Sequence, residues 1–230
     1  MIKIEYTSNF LGINIYGDYN DLELLYKSIN NIIDSNNIIC EHTNNLLDEI
    51  RSSYSGNRDY LLNTNNIDLS KLKNHNINKK DISLNNLYYG FKYSFPDIMI
   101  DYIIINHFDK KNIFNIYSNY INYFYGLIFD KLRDTIGDIK INKIKNGLID
   151  CNINERTFYL QWFEFITCNY IKMNKDKRIK NFSKIMNYIY NYQSYKDYLK
   201  MRREILNICK EKNISINDYI YEDYPNNIEW

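Results

Sequence analysis

The 230-residue chain contains no alanine and no valine, and only 7 glycines and 2 prolines. With so little glycine, phosphate-cradling loops have almost no material. Neither Gly-x-Gly-x-x-Gly nor a Walker loop occurs. The four cysteines, Cys40, Cys151, Cys168 and Cys209, are scattered without a Cys-x-x-Cys pair. A disulfide framework is therefore not expected, and buried thiols in a reducing cytosol are. No secretory leader is expected, since Met1-Ile2-Lys3-Ile4-Glu5 alternates charge with apolar residues. The most apolar stretch, 98–108, is broken by Asp101 and His107. It falls short of the ~20 apolar residues a membrane span needs. A cytoplasmic protein that makes no use of a membrane is the expectation.

What is abundant points to a genome bias. Asn, Ile, Lys and Tyr crowd every row, with 24 tyrosines in all. These residues have codons made of A and T alone, whereas alanine and valine need G or C. An AT-rich bacterium, its phage or another AT-rich virus is a natural source. A role in mobile-element conflict, such as inhibiting a nucleic-acid-targeting defence, fits that setting. The tyrosines then read as packing material in place of Ala and Val, rather than as stacking platforms for nucleic acid. Hydrophobic residues make up 45% and charged residues 25%, the balance of an ordinary globular domain.

The pattern along the chain predicts an α+β fold. Ile2, Ile4 and Tyr6, then Leu11, Ile13 and Ile15, alternate with polar or small residues on either side of a turn at Ser8-Asn9, as in a β-hairpin. A helix follows, capped by Asn20 with Glu23 at the capping-box position. A second covers 41–54 and stops at Gly56. Short strands are expected near 60 and over 87–95, flanking a polar surface excursion at 63–86. Pro96 suits the first turn of a helix over 96–108 that is apolar almost all round, hence central. Helices are expected over 112–134, 154–173, 175–192 and 194–213, with a short one capped by Ser215. The stretch 139–150 is ambiguous, and Trp230 should dock on the body. The expected arrangement is a small antiparallel sheet packed on a mainly helical C-terminal two-thirds. It forms one domain over 1–230, divided into a sheet-containing part (1–95) and a helical part (96–230).

The clearest electrostatic feature lies between Ile171 and Lys212, which carries +8 while the rest of the chain carries −7. Lys177, Lys180 and Lys184 fall on one side of their helix, opposite Ile179, Phe182, Met186 and Ile189, and Lys196, Lys200 and Arg203 make a similar stripe on the next. With Lys172, Arg178 and the isolated turn residue Arg58, they form the candidate binding set, suited to nucleic-acid phosphates or an acidic protein. The plainer reading is a solvated outer face with lysine raised by codon bias. That bias acts everywhere, so it does not explain the asymmetry.

An enzymatic reading competes. Pro96-Asp97 followed by Asp138-Ile139-Lys140 has the residue types of a nuclease-like metal site, in which carboxylates from distant segments (Asp97, Asp138 and Asp101) hold Mg²⁺ and Lys140 steadies the attacking water. Asp97 serves equally as a helix-opening acid. Cys40-x-His42 lacks a second ligand pair at zinc spacing, and His75 and His107 stand alone. The expectation is a non-enzymatic binding protein without a cofactor; an oligomeric structural subunit is a further alternative.

Several patches together resemble a bacterial family described only as a domain of unknown function. They are Thr7-Ser8-Asn9-Phe10-Leu11-Gly12, Gly17-Asp18-Tyr19-Asn20-Asp21-Leu22, Gly56-Asn57-Arg58-Asp59, Phe95-Pro96-Asp97, Tyr170-Ile171-Lys172-Met173 with Arg178-Ile179-Lys180-Asn181, and Tyr224-Pro225 with Glu229-Trp230. Ser8 replaces the proline of the family's opening turn, and the 63–86 excursion is longer than usual. The resemblance implies a domain spanning nearly the whole chain. It implies no activity.

Overall fold

Alternation in the first strands dictates the sheet. In the computed structural model, which describes residues 1–35, 41–55, 60–62, 87–109, 116–153, 156–216, 219, 225 and 228–230, β1 (Lys3–Tyr6) and β2 (Gly12–Gly17) form the expected hairpin. With β3 (Tyr60–Leu62) and β4 (Leu87–Ser94) they make one antiparallel sheet in the order β1-β2-β4-β3. The register sets Ile4 opposite Ile15 and Ile15 opposite Phe91, and likewise Tyr6, Ile13 and Tyr93 in a row. The alternate row Glu5, Asn14 and Lys92 faces away, so one face is core and the other is polar. The expected α+β class, with a helical C-terminal part, is what the chain adopts.

The helices are α1 (Tyr19–Ser35), α2 (Glu41–Ser55), α3 (Phe95–Asp109), α4 (Ile116–Ile136), α5 (Asp138–Asp150), α6 (Arg156–Ile171), α7 (Lys175–Tyr190) and α8 (Lys196–Lys212), with a 3₁₀ turn at Tyr192–Ser194 before α8. The cap of α1 is Asp18, not Asn20: its carboxylate accepts from the Asp21 N–H at 2.9 Å, and Asn20 lies inside the helix. Asp wins because the chain leaves the sheet at Gly17 and has turned by Tyr19. β4 runs into α3 without a loop. The Phe95 N–H still bonds the Leu11 carbonyl at 3.1 Å, while the Ser94 hydroxyl accepts from the Asp97 N–H at 3.2 Å. Ser94 therefore caps α3, and Pro96 sits one position later than expected. The ambiguous 139–150 stretch is helix, with Ile141, Ile144 and Leu148 buried and Gly137 at φ 91° forming the joint to α4. The excursion 63–86, the Gly56 stop, the onset of α4 before Ile116 and the helix after Ser215 lie outside the described residues.

α3 is central. Its residues Ile98 through Ile105 are all buried, and it packs against the sheet, α1, α2, α5, α6 and α7. Among them is one carboxyl, Asp101, with no exposed surface, whose Oδ2 accepts from the Tyr93 hydroxyl at 2.8 Å. Burial pushes its pKa up to about 8; the Tyr93 hydrogen bond opposes this and the Asp97 charge adds to it. The Thr43 hydroxyl also opposes the rise, and the Tyr125 hydroxyl has no hydrogen-bond partner among the described residues.

A second buried polar group ties the sheet to the helices. Arg178, expected on the basic surface, is 4% exposed. Its guanidinium donates to the carbonyls of Tyr170 (3.2 Å) and Ile171 (2.6 Å) at the end of α6, and of Asn9 (2.8 Å) in the hairpin turn. It satisfies helix-terminal carbonyls as a cationic cap does, so it is structural rather than part of the outer stripe. The same turn holds Phe10 in the left-handed region at φ 53°. For a bulky residue that conformation costs on the order of 1–3 kcal/mol and needs enforcement from its surroundings. The Thr7 hydroxyl accepts from the Leu11 and Gly12 N–H groups, both at 3.0 Å, and Tyr170 donates to the Phe10 carbonyl at 2.7 Å. The Phe10 ring enters a cluster with Tyr6, Phe95 and Phe182 at 5.0–5.8 Å. Trp230 docks as expected: it packs on the core, and its backbone oxygen accepts from Ser8 and Asn9.

Two outcomes follow for stability. Arg178→Met leaves three carbonyls without their donor and should lower unfolding stability by roughly 2–4 kcal/mol in urea denaturation. Arg178→Lys should recover little, because one ammonium cannot replace the planar fork. For Asp101 the folded-state pKa is raised, so its contribution is complete below about pH 4, where the unfolded carboxyl is also protonated. It is lost as pH climbs to about 8, by up to about 1.4 kcal/mol per unit. The stability difference between wild type and Asp101→Asn, from melts at pH 5 and pH 8.5, should therefore shift in favour of the asparagine variant at the higher pH.

Candidate binding surface

Because Arg178 points inward, the outward face of α7 is determined. Arg178, Phe182, Ile185, Met186 and Ile189 are buried at helical spacing, and Lys177, Lys180 and Lys184 all emerge on the opposite side, exposed. The Asn174 side chain caps the helix by accepting from the Lys177 N–H at 3.0 Å, and Asp176 complements the first turn. α7 is held from beneath by α3, α4, α5 and α6. Against α5 the packing is close enough that a Cβ on Gly147 would stand 2.4 Å from the Tyr190 ring. The three lysines form no ion pair with a described residue; the Lys184 ammonium lies 5.6 Å over the Tyr188 ring. Lys172 is exposed in the turn leading to α7.

α8 takes its packing chiefly from α6 and the 3₁₀ turn. Tyr198 lies between Trp162 and Tyr192, with centroids 5.8 and 4.9 Å away, and Arg202 covers the Phe158 ring at 4.8 Å. Lys196, Lys200 and Arg203 are exposed on the outer side, as the spacing predicts. Lys200 is partly neutralised by Glu204 at 3.6 Å. The two cationic stripes thus sit on two helices that each pack on α6, and the more weakly neutralised is on α7. Of the candidate set, Lys172, Lys177, Lys180, Lys184, Lys196, Lys200 and Arg203 are outward, Arg178 is interior, and Arg58 lies outside the described residues.

The carboxylates of the enzymatic reading do not converge. Asp97 is engaged with Ser94 at the start of α3, and Asp101 is sealed in the core. Asp138 projects into solvent at 78% side-chain exposure, 3.5 Å from Arg133, and Lys140 is exposed. Among the described residues no three His, Cys, Asp or Glu side chains gather to hold a metal, and no helix is long and apolar enough to cross a membrane. Cys40, His75 and the His42 side chain lie outside the described residues; His107 is exposed. Burial pushes the Cys151 thiol up to about 12, leaving no thiolate for nucleophilic chemistry. An open groove of about 410 Å³ between β1 and α4 has Ile2, Ile4 and Leu127 on its floor and Asp130, Lys131 and Asp134 at its rim.

Sequence reasoning missed two features. The Tyr93–Asp101 contact joins residues from a strand and a helix, and nothing in their spacing announces it. The exposed Leu199 (45%) and Leu206 (36%) on α8 were legible, since both fall outside the stripe that the core uses.

No curated protein and no solved structure matches the chain. A family model described as a domain of unknown function (DUF6904) matches residues 2–230. The chain therefore belongs to the DUF6904 family.

Proposed function

We propose that this chain acts as a single-domain, non-enzymatic binding protein of the cytoplasm. Its working surface is the cationic outer side of α7, extended by the basic side chains of α8, and it engages an anionic macromolecule. The observation that carries the reading is the row Lys177, Lys180 and Lys184: three exposed ammonium groups on one face, none in an ion pair with a described residue, on a helix whose other face is anchored in the core. A rigidly mounted cationic row suits a repeating anionic partner, because the helix need not be ordered on binding.

The test is fluorescence anisotropy with duplex DNA and with polyglutamate, using wild type and the Lys177→Glu/Lys180→Glu/Lys184→Glu variant. The variant should lose at least about tenfold in affinity for the anionic probe that binds. With DNA, the slope of log affinity against log salt should fall by about 3, near 0.9 per lost phosphate contact. Indistinguishable curves for the two proteins would remove α7 as the working surface.

A further inference from the structure

α8 repeats every seven residues. Lys196, Arg203 and Lys210 share one heptad position, Asp197, Glu204 and Glu211 the next, Tyr198 and Ile205 the third, and Leu199 and Leu206 the fourth. Tyr198 and Ile205 face the protein's own core, with Met201 and Ile208 partly covered. That seam is therefore already occupied. At 100° per residue, Leu199 and Leu206 form a second ladder about 100° round the helix from it, and the Lys196–Arg203–Lys210 ladder lies about 50° further round, on the solvent side. The two leucines are 45% and 36% exposed, and Ile214, just past the left-handed cap at Asn213, is 37% exposed. A leucine ladder edged by cations is the half-interface of a helix-on-helix contact.

Charge decides the occupant. A second copy is disfavoured: pairing two such ladders antiparallel sets Lys196, Arg203 and Lys210 against their own copies, and parallel pairing sets them against Arg202. Nucleic acid is disfavoured at the leucine ladder because leucines offer phosphates nothing, whereas an acidic amphipathic helix satisfies the leucines and the cations together. We infer that the Leu199–Leu206 ladder of α8, with Lys196, Arg203 and Lys210 along its edge, docks an acidic amphipathic helix of a partner protein. This rests on the reading of the α7–α8 side as a binding surface, and it names the chemistry of what α8 contacts: apolar side chains at helical spacing, flanked by Asp or Glu.

The probe is a synthetic helical peptide with leucine at the two core heptad positions and glutamate at the two flanking ones. Its lysine-flanked counterpart, duplex DNA and anionic phospholipid vesicles serve as the other arms, all read by anisotropy or co-sedimentation. The glutamate peptide should bind, and the lysine peptide should not. Leu199→Ser/Leu206→Ser should weaken binding by about tenfold or more, since two half-buried contacts are removed. Lys196→Glu/Arg203→Glu should weaken it similarly and admit the lysine peptide. Both pairs are exposed, and unchanged thermal melts will show that the fold is retained. The proposal is overturned if the glutamate peptide fails to bind, if it binds the leucine variant equally well, or if the leucines matter only for DNA or vesicles. The α7 triple reversal separates the two readings. If it abolishes DNA or polyglutamate binding while the glutamate peptide never binds, only the α8 inference fails. If the peptide binds through α8 while that reversal changes nothing, only the α7 surface fails.

Discussion

The guanidinium of Arg178 is the contact on which the layout of this protein depends. Three carbonyls, two at the end of α6 and one in the β1–β2 turn, converge on it. Together with the Tyr170 hydroxyl on the Phe10 carbonyl, it joins residues 160–170 positions apart in the chain. Such contacts carry a large loop-closure cost and hold only when several groups share it. Here they do. The turn is held in an unfavourable backbone conformation, the Phe10 ring packs against the Phe95–Phe182 pair, and Trp230 closes over Ser8 and Asn9. Four of the patches that carry the family resemblance (7–12, 170–173, 178–181 and 229–230) meet at this one place, with Phe95 of a fifth. These patches thus share an architectural role at the β1–β2 turn.

One consequence reaches the surface. A cation in a run of cations is ordinarily read as exposed. Turning Arg178 inward fixes the rotation of α7, and the lysines one position before it and two and six positions after it are then obliged to face out. The core arginine and the outer lysines are two results of one helical phase.

The legible and illegible parts of the fold divide along physical lines. The hairpin, the sheet strands and the mostly apolar α3 are readable because period-2 alternation and uninterrupted burial leave few alternatives. Caps were less readable: Asp18 and Asn20 are both good cap residues, and the choice depends on where the chain leaves the sheet, a tertiary fact. Pro96 was placed one position early because Ser94 both ends the strand and opens the helix, and sequence patterns treat those roles as separate. The 139–150 stretch was ambiguous because its buried Ile141, Ile144 and Leu148 are only three anchors among polar residues. For the surface, the lysines of α7 were placed correctly by periodicity, while Arg178 was misplaced because residue type was weighed above phase. It falls in register with Phe182, Ile185 and Ile189, and that register was available in the sequence.

Net charge sets how such a surface works. At +1 overall the molecule has little long-range field, although residues 171–212 carry +8 and the remainder −7. At physiological salt the screening length is about 8 Å, so each cationic row acts only on groups already near contact. Steering from a distance is then weak, and selection among partners falls to short-range fit. On α7 that fit is the spacing of ammonium groups alone, which many anionic partners satisfy. In the proposed reading the exposed leucines of α8 add a requirement for apolar side chains at matching intervals. In that reading the two helices differ in kind: α7 contributes attraction with little discrimination, and α8, with six cations against three acids, adds discrimination through its leucines. A partner that satisfies both must present carboxylates and a leucine-like ridge together, a combination that proteins offer and nucleic acids do not.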